Sequence, residues 1–120
     1  MSTKVVEKPW GNELIWAVTD RYVGKILHIK KGHSLSLQYH EKKDETVMVW
    51  SGRMRFEHFP EGQEPQFTEM GPGDAFHVTP LLRHRMIAIE DTEVFEVSTT
   101  ELDDVVRLQD AYGRQGTSKA

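Results

Sequence analysis

The stretch LSLQYHEKKDETVMVWSG, residues 35–52, carries a glutamine and a histidine two positions apart and a glutamate five further on. Side chains alternate faces along a strand. Residues 33–40 alternate strictly, so Ser34, Ser36, Gln38 and His40 share one face, and Leu35, Leu37 and Tyr39 share the other. Taken alone, that pattern puts the leucines in a core and Gln38 and His40 in water. The next residues point the other way. The charged run 41–44 turns the chain, and Glu45 opens a new strand close to His40. With Glu45 facing His40, Val47 and Val49 line the same interior, while Met48 and Trp50 face outward with Leu35, Leu37 and Tyr39. Two ligands from one strand end and a carboxylate from its neighbour form the convergence a divalent cation requires. His84, at the start of a distant strand after a turn containing Pro80, is the candidate fourth ligand.

Around that stretch the chain reads as short strands punctuated by turns. Apolar, β-branched or aromatic runs cover 13–18, 22–31, 45–52, 53–59, 75–79, 84–90 and 93–99, with a hairpin loop at 60–66 and a tight turn at 71–74. Many short strands with regular turn signals predict a sandwich or barrel. The C-terminus differs. Leu102, Val105, Val106 and Tyr112 recur at helical spacing, with Thr100 as N-cap, Glu101, Asp103 and Asp104 in the first turn and Gly113 after the last. That pattern predicts a short helix over 101–112. Residues 114–120 read as a frayed tail. The expectation is one all-β domain over 1–120, its barrel spanning about 12–99.

The bulk numbers bound the function. A chain of 120 residues fits one domain with one core. The net charge is −4 and no Lys/Arg block stands out, so no nucleic-acid partner is expected. The absence of cysteine excludes a disulfide framework and thiolate metal sites. The N-terminus has no apolar run fit for a signal peptide, and nothing later approaches ~18 apolar residues. No membrane partner is expected, and the cytoplasm is the expected location. The outward apolar residues predict a homodimer.

The spacing then meets a known pattern. Gly32, five residues, Gln38, Tyr39, His40, four residues, Glu45, six residues and Gly52 resemble the first cupin motif, with Gln38 where His is more common. GPGDAFHVTPLLRH, 71–84, resembles the second, although Pro80 and His84 are separated by three residues rather than four and the expected Gly is absent. VEKPWGNELIW (6–16), LSLQYH (35–40) and FEVST followed by ELDDVVRLQDAYGR (101–114) resemble the opening, core and ending of the type II phosphomannose isomerase domain. The resemblance implies a cupin-type double-stranded β-helix, a jelly-roll barrel, with one divalent metal on Gln38, His40, Glu45 and His84. Zinc leads, and manganese, iron, cobalt and nickel accept the same donors. In that family the domain often follows a nucleotidyltransferase; standing alone here, it is not expected to be a guanylyltransferase.

The ligand set leaves coordination positions open, as a catalytic metal needs. Two His and a carboxylate also suit non-haem iron, so an iron-dependent dioxygenase stays in view. Gln38 is a neutral oxygen donor without redox specialisation, which favours polarisation of a sugar carbonyl. The related isomerases carry the same set, so the expected activity is interconversion of mannose 6-phosphate and fructose 6-phosphate, a small-molecule sugar phosphate being the partner. A non-enzymatic sugar-binding or regulatory cupin is the third reading. For catalysis, Glu96 in an apolar strand is the candidate base or its orienter, or else an edge residue facing solvent. Lys43 is a catalytic or phosphate-binding candidate, or else a turn lysine. Ser36 reads as a hydrogen-bond donor to a substrate phosphate or as a plain strand serine. Arg107 and Arg114 read as phosphate ligands or surface ion pairs. Arg85 should point away from the metal, and Trp10 should be a packing anchor. His28, His33, His58 and His77 fit no ligand spacing.

Overall fold

The computed structural model describes residues 2–114 and 116–117. Twelve strands are assigned among them: β1 (Lys4–Lys8), β2 (Gly11–Val18), β3 (Val23–Ile29), β4 (Leu37–Tyr39), β5 (Glu45–Ser51), β6 (Met54–Phe59), β7 (Gln66–Met70), β8 (Ala75–Val78), β9 (Arg83–Ala88), β10 (Thr92–Ser98), β11 (Val106–Gln109) and β12 (Gly116–Thr117). They form two six-stranded sheets, ordered β1-β2-β3-β10-β5-β8 and β12-β11-β4-β9-β6-β7. Every pairing is antiparallel. This is the all-β jelly roll the sequence predicts.

Alternation decides what faces inward. In β10 every second residue is buried, as are Glu45, Val47 and Val49 of β5 and Leu27 and Ile29 of β3. Leu27, Ile29, Val47, Val49 and Val94 of the first sheet meet Met54, Phe56, Met86 and Ala88 of the second, so the core lies between the sheets. The turn between β5 and β6 requires Gly52, whose φ is 86° and whose added Cβ would lie 2.2 Å from the Asp91 carbonyl oxygen. Gly11 is as constrained: a Cβ there would lie 1.8 Å from the His28 carbonyl oxygen.

Three expectations need correction. The helix predicted over 101–112 does not form; 102–103 turn, and Val106–Gln109 joins the second sheet as β11 beside β4. Asp104 explains the difference. Its carboxylate accepts the backbone N–H groups of Glu41, Lys42 and Lys43, which ties this segment across to the 41–43 turn instead of capping a helix. The barrel therefore reaches beyond 12–99 at both ends, from β1 to β11. Leu35 does not face outward with Leu37 and Tyr39. Residues 33–36 form only the single bridge Ser34–Ile87, strict alternation lapses there, and Leu35 packs on the core. In the tail, Gly116–Thr117 pairs with β11, while 115 and 118–120 lie outside the described residues. No helix among the described residues is long and apolar enough to cross a membrane.

Candidate metal centre and pocket

β4, β9 and β5 assemble the motif residues. Across the second sheet, Arg107, Gln38, His84 and His58 stand in one row on β11, β4, β9 and β6. A row in the first sheet runs Lys25, Glu96, Val47, Phe76 on β3, β10, β5 and β8. Lys25, Glu96, Gln38 and Arg107 line one pocket with His40, Glu45 and Lys43.

His40, Glu45 and His84 are buried and offer ligand atoms within 4.8 Å of one another. His40 Nδ1–H donates to the Asp104 carbonyl at 2.6 Å, and His84 Nδ1–H donates to the Leu82 carbonyl at 2.9 Å. Those bonds assign the tautomers and turn both Nε2 lone pairs inward. They meet Glu45 Oε1 at 3.0 Å and 3.5 Å. His84 Nε2 is buried without a hydrogen-bond partner. As neutral rings both histidines would aim lone pairs at the carboxylate, so the arrangement is favourable only with positive charge there, either a second proton on the rings or a bound cation. A divalent cation supplies that charge and satisfies the orphaned nitrogen together, so the residues present fit a metal. Gln38 lines the same pocket, and its Oε1 accepts a hydrogen bond from Ser36 Oγ at 2.7 Å. Ser36 is buried and orients the glutamine.

Lys43 is no solvated turn residue. It is 5% exposed, and its Nζ lies 3.0 Å from Glu96 Oε2 and 3.4 Å from Glu45 Oε2. Burial opposes its charge, but the two glutamates outweigh burial and raise its pKa. Glu45 is held well below the usual carboxylate range: burial would raise it, and Lys43 and the two histidines prevail. Glu96 goes the other way, pushed up to about 7 by burial and then by the charge of Glu45, against Lys43 and Lys25. Of two carboxylates sharing one lysine, Glu45 is the firm anion and Glu96 the one nearer a proton.

The other expected residues divide. Glu96 is at the pocket wall, not on a solvent edge, and Arg107 is buried and lines the pocket. Arg114 also lines it, half-buried, while bridging to Asp110. Arg85 reaches Gln109 and lines a separate hollow away from the metal ligands. Trp10 is a buried anchor that also borders the pocket. Among the histidines held ordinary, His58 packs against Phe76 with the rings tilted at 50°, opposite His84, and His33 meets the Tyr112 hydroxyl at 2.8 Å. The second-motif loop supplies its missing glycine in another way: Leu81 adopts φ 72° and its N–H donates to the His40 carbonyl at 2.6 Å.

Sequence reasoning misses Glu13 and Lys25, and assigns Lys8 no site role. All three line the pocket. A signal exists for Lys25: in VGKILHI it falls in step with Val23, Leu27 and Ile29, a lysine on the inward face of an apolar strand.

The family model described as Cupin domain matches residues 25–99, and the chain belongs to that family. Mannose-1-phosphate guanylyltransferase ManC of Salmonella typhimurium is 30% identical over 114 residues, and the Escherichia coli mannose-1-phosphate guanylyltransferase is 29% identical over 114. Each match covers 91% of this chain and 23% of the relative, so the chain spans under a quarter of those proteins. Among solved structures, KdgF from Halomonas sp. aligns at TM-score 0.68 with 22% identity, over 83% of this chain and 88% of that one. Oxalate decarboxylase from Bacillus subtilis aligns at 0.77 with 18% identity, over 88% of this chain and 30% of that one. Both likenesses speak to the fold.

Proposed function

We propose that the pocket is the active site of a metal-dependent aldose–ketose isomerase acting on a sugar phosphate, with mannose 6-phosphate and fructose 6-phosphate as the pair. One observation carries the reading: the buried Lys43–Glu96 pair stands beside His40, Glu45 and His84, with Lys43 touching both carboxylates. The names of the curated relatives, which carry mannose 1-phosphate, support the substrate class.

Gln38, His40, Glu45 and His84 would hold the ion. A divalent ion there, zinc first and manganese, iron, cobalt or nickel after it, supplies Lewis-acid polarisation of a carbonyl oxygen. The chain does the rest. Glu96, at the pocket wall, takes the proton from the hydroxyl-bearing carbon beside the carbonyl and delivers it to the former carbonyl carbon, while the hydroxyl proton passes to the former carbonyl oxygen. Lys43 fixes the Glu96 carboxylate through the 3.0 Å contact and keeps one positive charge between two acids. Trp10, Leu27, Leu35 and Met86 give the pocket apolar walls that limit water at the reacting carbons. We place the protein in the cytoplasm.

The test is metal-loaded protein with mannose 6-phosphate, following fructose 6-phosphate by coupled reduction. Turnover is expected, with some deuterium in the product when heavy water is the solvent. Glu96→Gln should lower kcat about 100-fold or more and leave metal content unchanged. Failure of a broad sugar-phosphate panel with all five metals overturns the isomerase. The two-His, one-carboxylate set favours a second reading, an iron-dependent dioxygenase, and oxygen uptake with iron would support it. Sugar binding with neither activity would point to a binding module.

A further inference from the structure

The same pocket has a second charged end. Lys25 on β3 is 2% exposed, with Nζ 3.4 Å from Glu13 Oε1. Lys8, closing β1, has Nζ 3.9 Å from Glu13 Oε2. Those separations are long for charge-assisted hydrogen bonds, which prefer about 2.7–2.9 Å, so both ammonium groups retain donors for another acceptor. Glu13 Oε2 is itself buried without a hydrogen bond. Arg107 is 7% exposed, and Arg114 reaches Asp110 at 3.0 Å and 3.1 Å. Lys8, Lys25, Arg107 and Arg114, from β1, β3, β11 and the C-terminal segment, thus gather at one end of the pocket, with Glu13 beside the lysines and Asp110 beside Arg114.

Packing like charges together is unfavourable in partly buried surroundings. The strain is visible at Lys8, whose pKa is lowered by burial and by the charges of Arg107, Lys25 and Arg114, against Glu13. It is visible again at Arg107, lowered by burial and Arg114. A dianion relieves both. Two ammonium groups and two planar guanidinium groups also suit the several acceptor oxygens of a phosphate, which arginine can bind bidentately.

We propose that Lys8, Lys25, Arg107 and Arg114 form a phosphomonoester subsite, so that a sugar phosphate lies along the pocket with its phosphate there and its carbonyl end toward His40, Glu45 and His84. The second half of that statement rests on the isomerase reading; the subsite does not. Scale agrees: Arg107 and His84 flank Gln38 on neighbouring strands, about 10 Å apart at the backbone, comparable to an open-chain hexose phosphate. Lys43, held by Glu45 and Glu96, becomes a positioning residue.

The experiment is isothermal titration of metal-loaded protein with mannose 6-phosphate, free mannose and inorganic phosphate. Mannose 6-phosphate should bind about ten-fold or more tighter than mannose, with inorganic phosphate competing. Arg107→Gln should remove most of that ratio, and Lys8→Gln and Arg114→Gln, which change less buried side chains and keep the proposal testable should Arg107→Gln misfold, should each reduce it several-fold. Metal content and mannose affinity should not move. A ratio near one in the wild type overturns the subsite, as does a ratio unchanged in the folded variants. Phosphate binding lost in His40→Ala but intact in Lys8→Gln and Arg114→Gln also overturns it, since the phosphate would then sit on the metal. Should the ratio behave as expected while no sugar phosphate turns over, the isomerase fails and the subsite stands. Turnover with a ratio indifferent to these substitutions gives the reverse.

Discussion

His40 donates its Nδ1–H to a carbonyl and aims its other nitrogen at Glu45 Oε1, 3.0 Å away. Because a divalent cation would satisfy that pairing and the unpartnered His84 Nε2 together, purified wild type should carry near-stoichiometric divalent metal by elemental analysis, and His40→Ala should lose most of it. A ligand that binds only the folded state stabilises it, so chelation should lower Tm in wild type and leave the His40→Ala value nearly unchanged. Leu81 offers a second residue-scale expectation. It holds φ 72° with 64% of its surface exposed, so it carries left-handed strain with little packing in return. Leu81→Gly should raise stability by about 0.5–1 kcal/mol, the relieved strain exceeding the added chain entropy. Urea denaturation would show this as a higher midpoint at equal slope. Gly11→Ala should do the opposite, costing about 2–3 kcal/mol because the β2–β3 pairing would have to move.

At the scale of elements, the C-terminal segment controls the site. Asp104 holds the 41–43 turn by three backbone N–H groups and, through its carbonyl, the His40 ring. Asp104→Ala should therefore cost about 1–3 kcal/mol and weaken metal binding about 10–100-fold, as outer-shell changes do. Calorimetry and metal competition would measure the two effects. Further along, Asp110 accepts from the Arg114 backbone and side chain. Burial would raise the Asp110 pKa, but the bonds and charge of Arg114 outweigh it and the carboxyl lies below its usual range. A depressed folded-state pKa contributes stability above the unfolded value, about 3.9, and loses it as pH falls through the folded value. Asp110→Asn should thus be less stable than wild type at pH 7, with the difference in Tm closing below about pH 4.

The whole molecule has two outer faces, which changes the expected assembly. Leu37 and Tyr39 belong to one sheet, and Met48 and Trp50 to the other, so they do not form one surface. The first sheet alone carries a continuous apolar row, Val5, Leu14, Ile26, Phe95, Met48 and Ala75, crossing all six strands in register. Trp50 stacks on Phe95 at 5.3 Å with 59% of its surface exposed. We propose that a second copy covers this face. Light scattering at micromolar concentration should give twice the chain mass, and Phe95→Glu should give the monomer mass; a monomeric wild type would rule the assembly out.

Much of the site is legible along the chain because its causes are local. Alternation and one charged turn put Gln38, His40 and Glu45 together, and Gly52 marks the end of that unit by a φ other residues avoid. His84 is legible too, although its loop uses Leu81 where a glycine is expected. The segment 101–112 is misread because Leu102, Val105 and Val106 satisfy helical spacing as well as a strand edge does. The competing partners of Asp104, three N–H groups more than sixty residues away in sequence, leave no local trace. Glu13 and Lys25 escape for a related reason. Alternation says which side chains share a face, but only closure of two sheets decides that this face looks into a pocket and which charges meet there. Short-range geometry sets the strands and the metal-binding run; the charged far end of the pocket and the apolar outer row arise from pairings between distant strands.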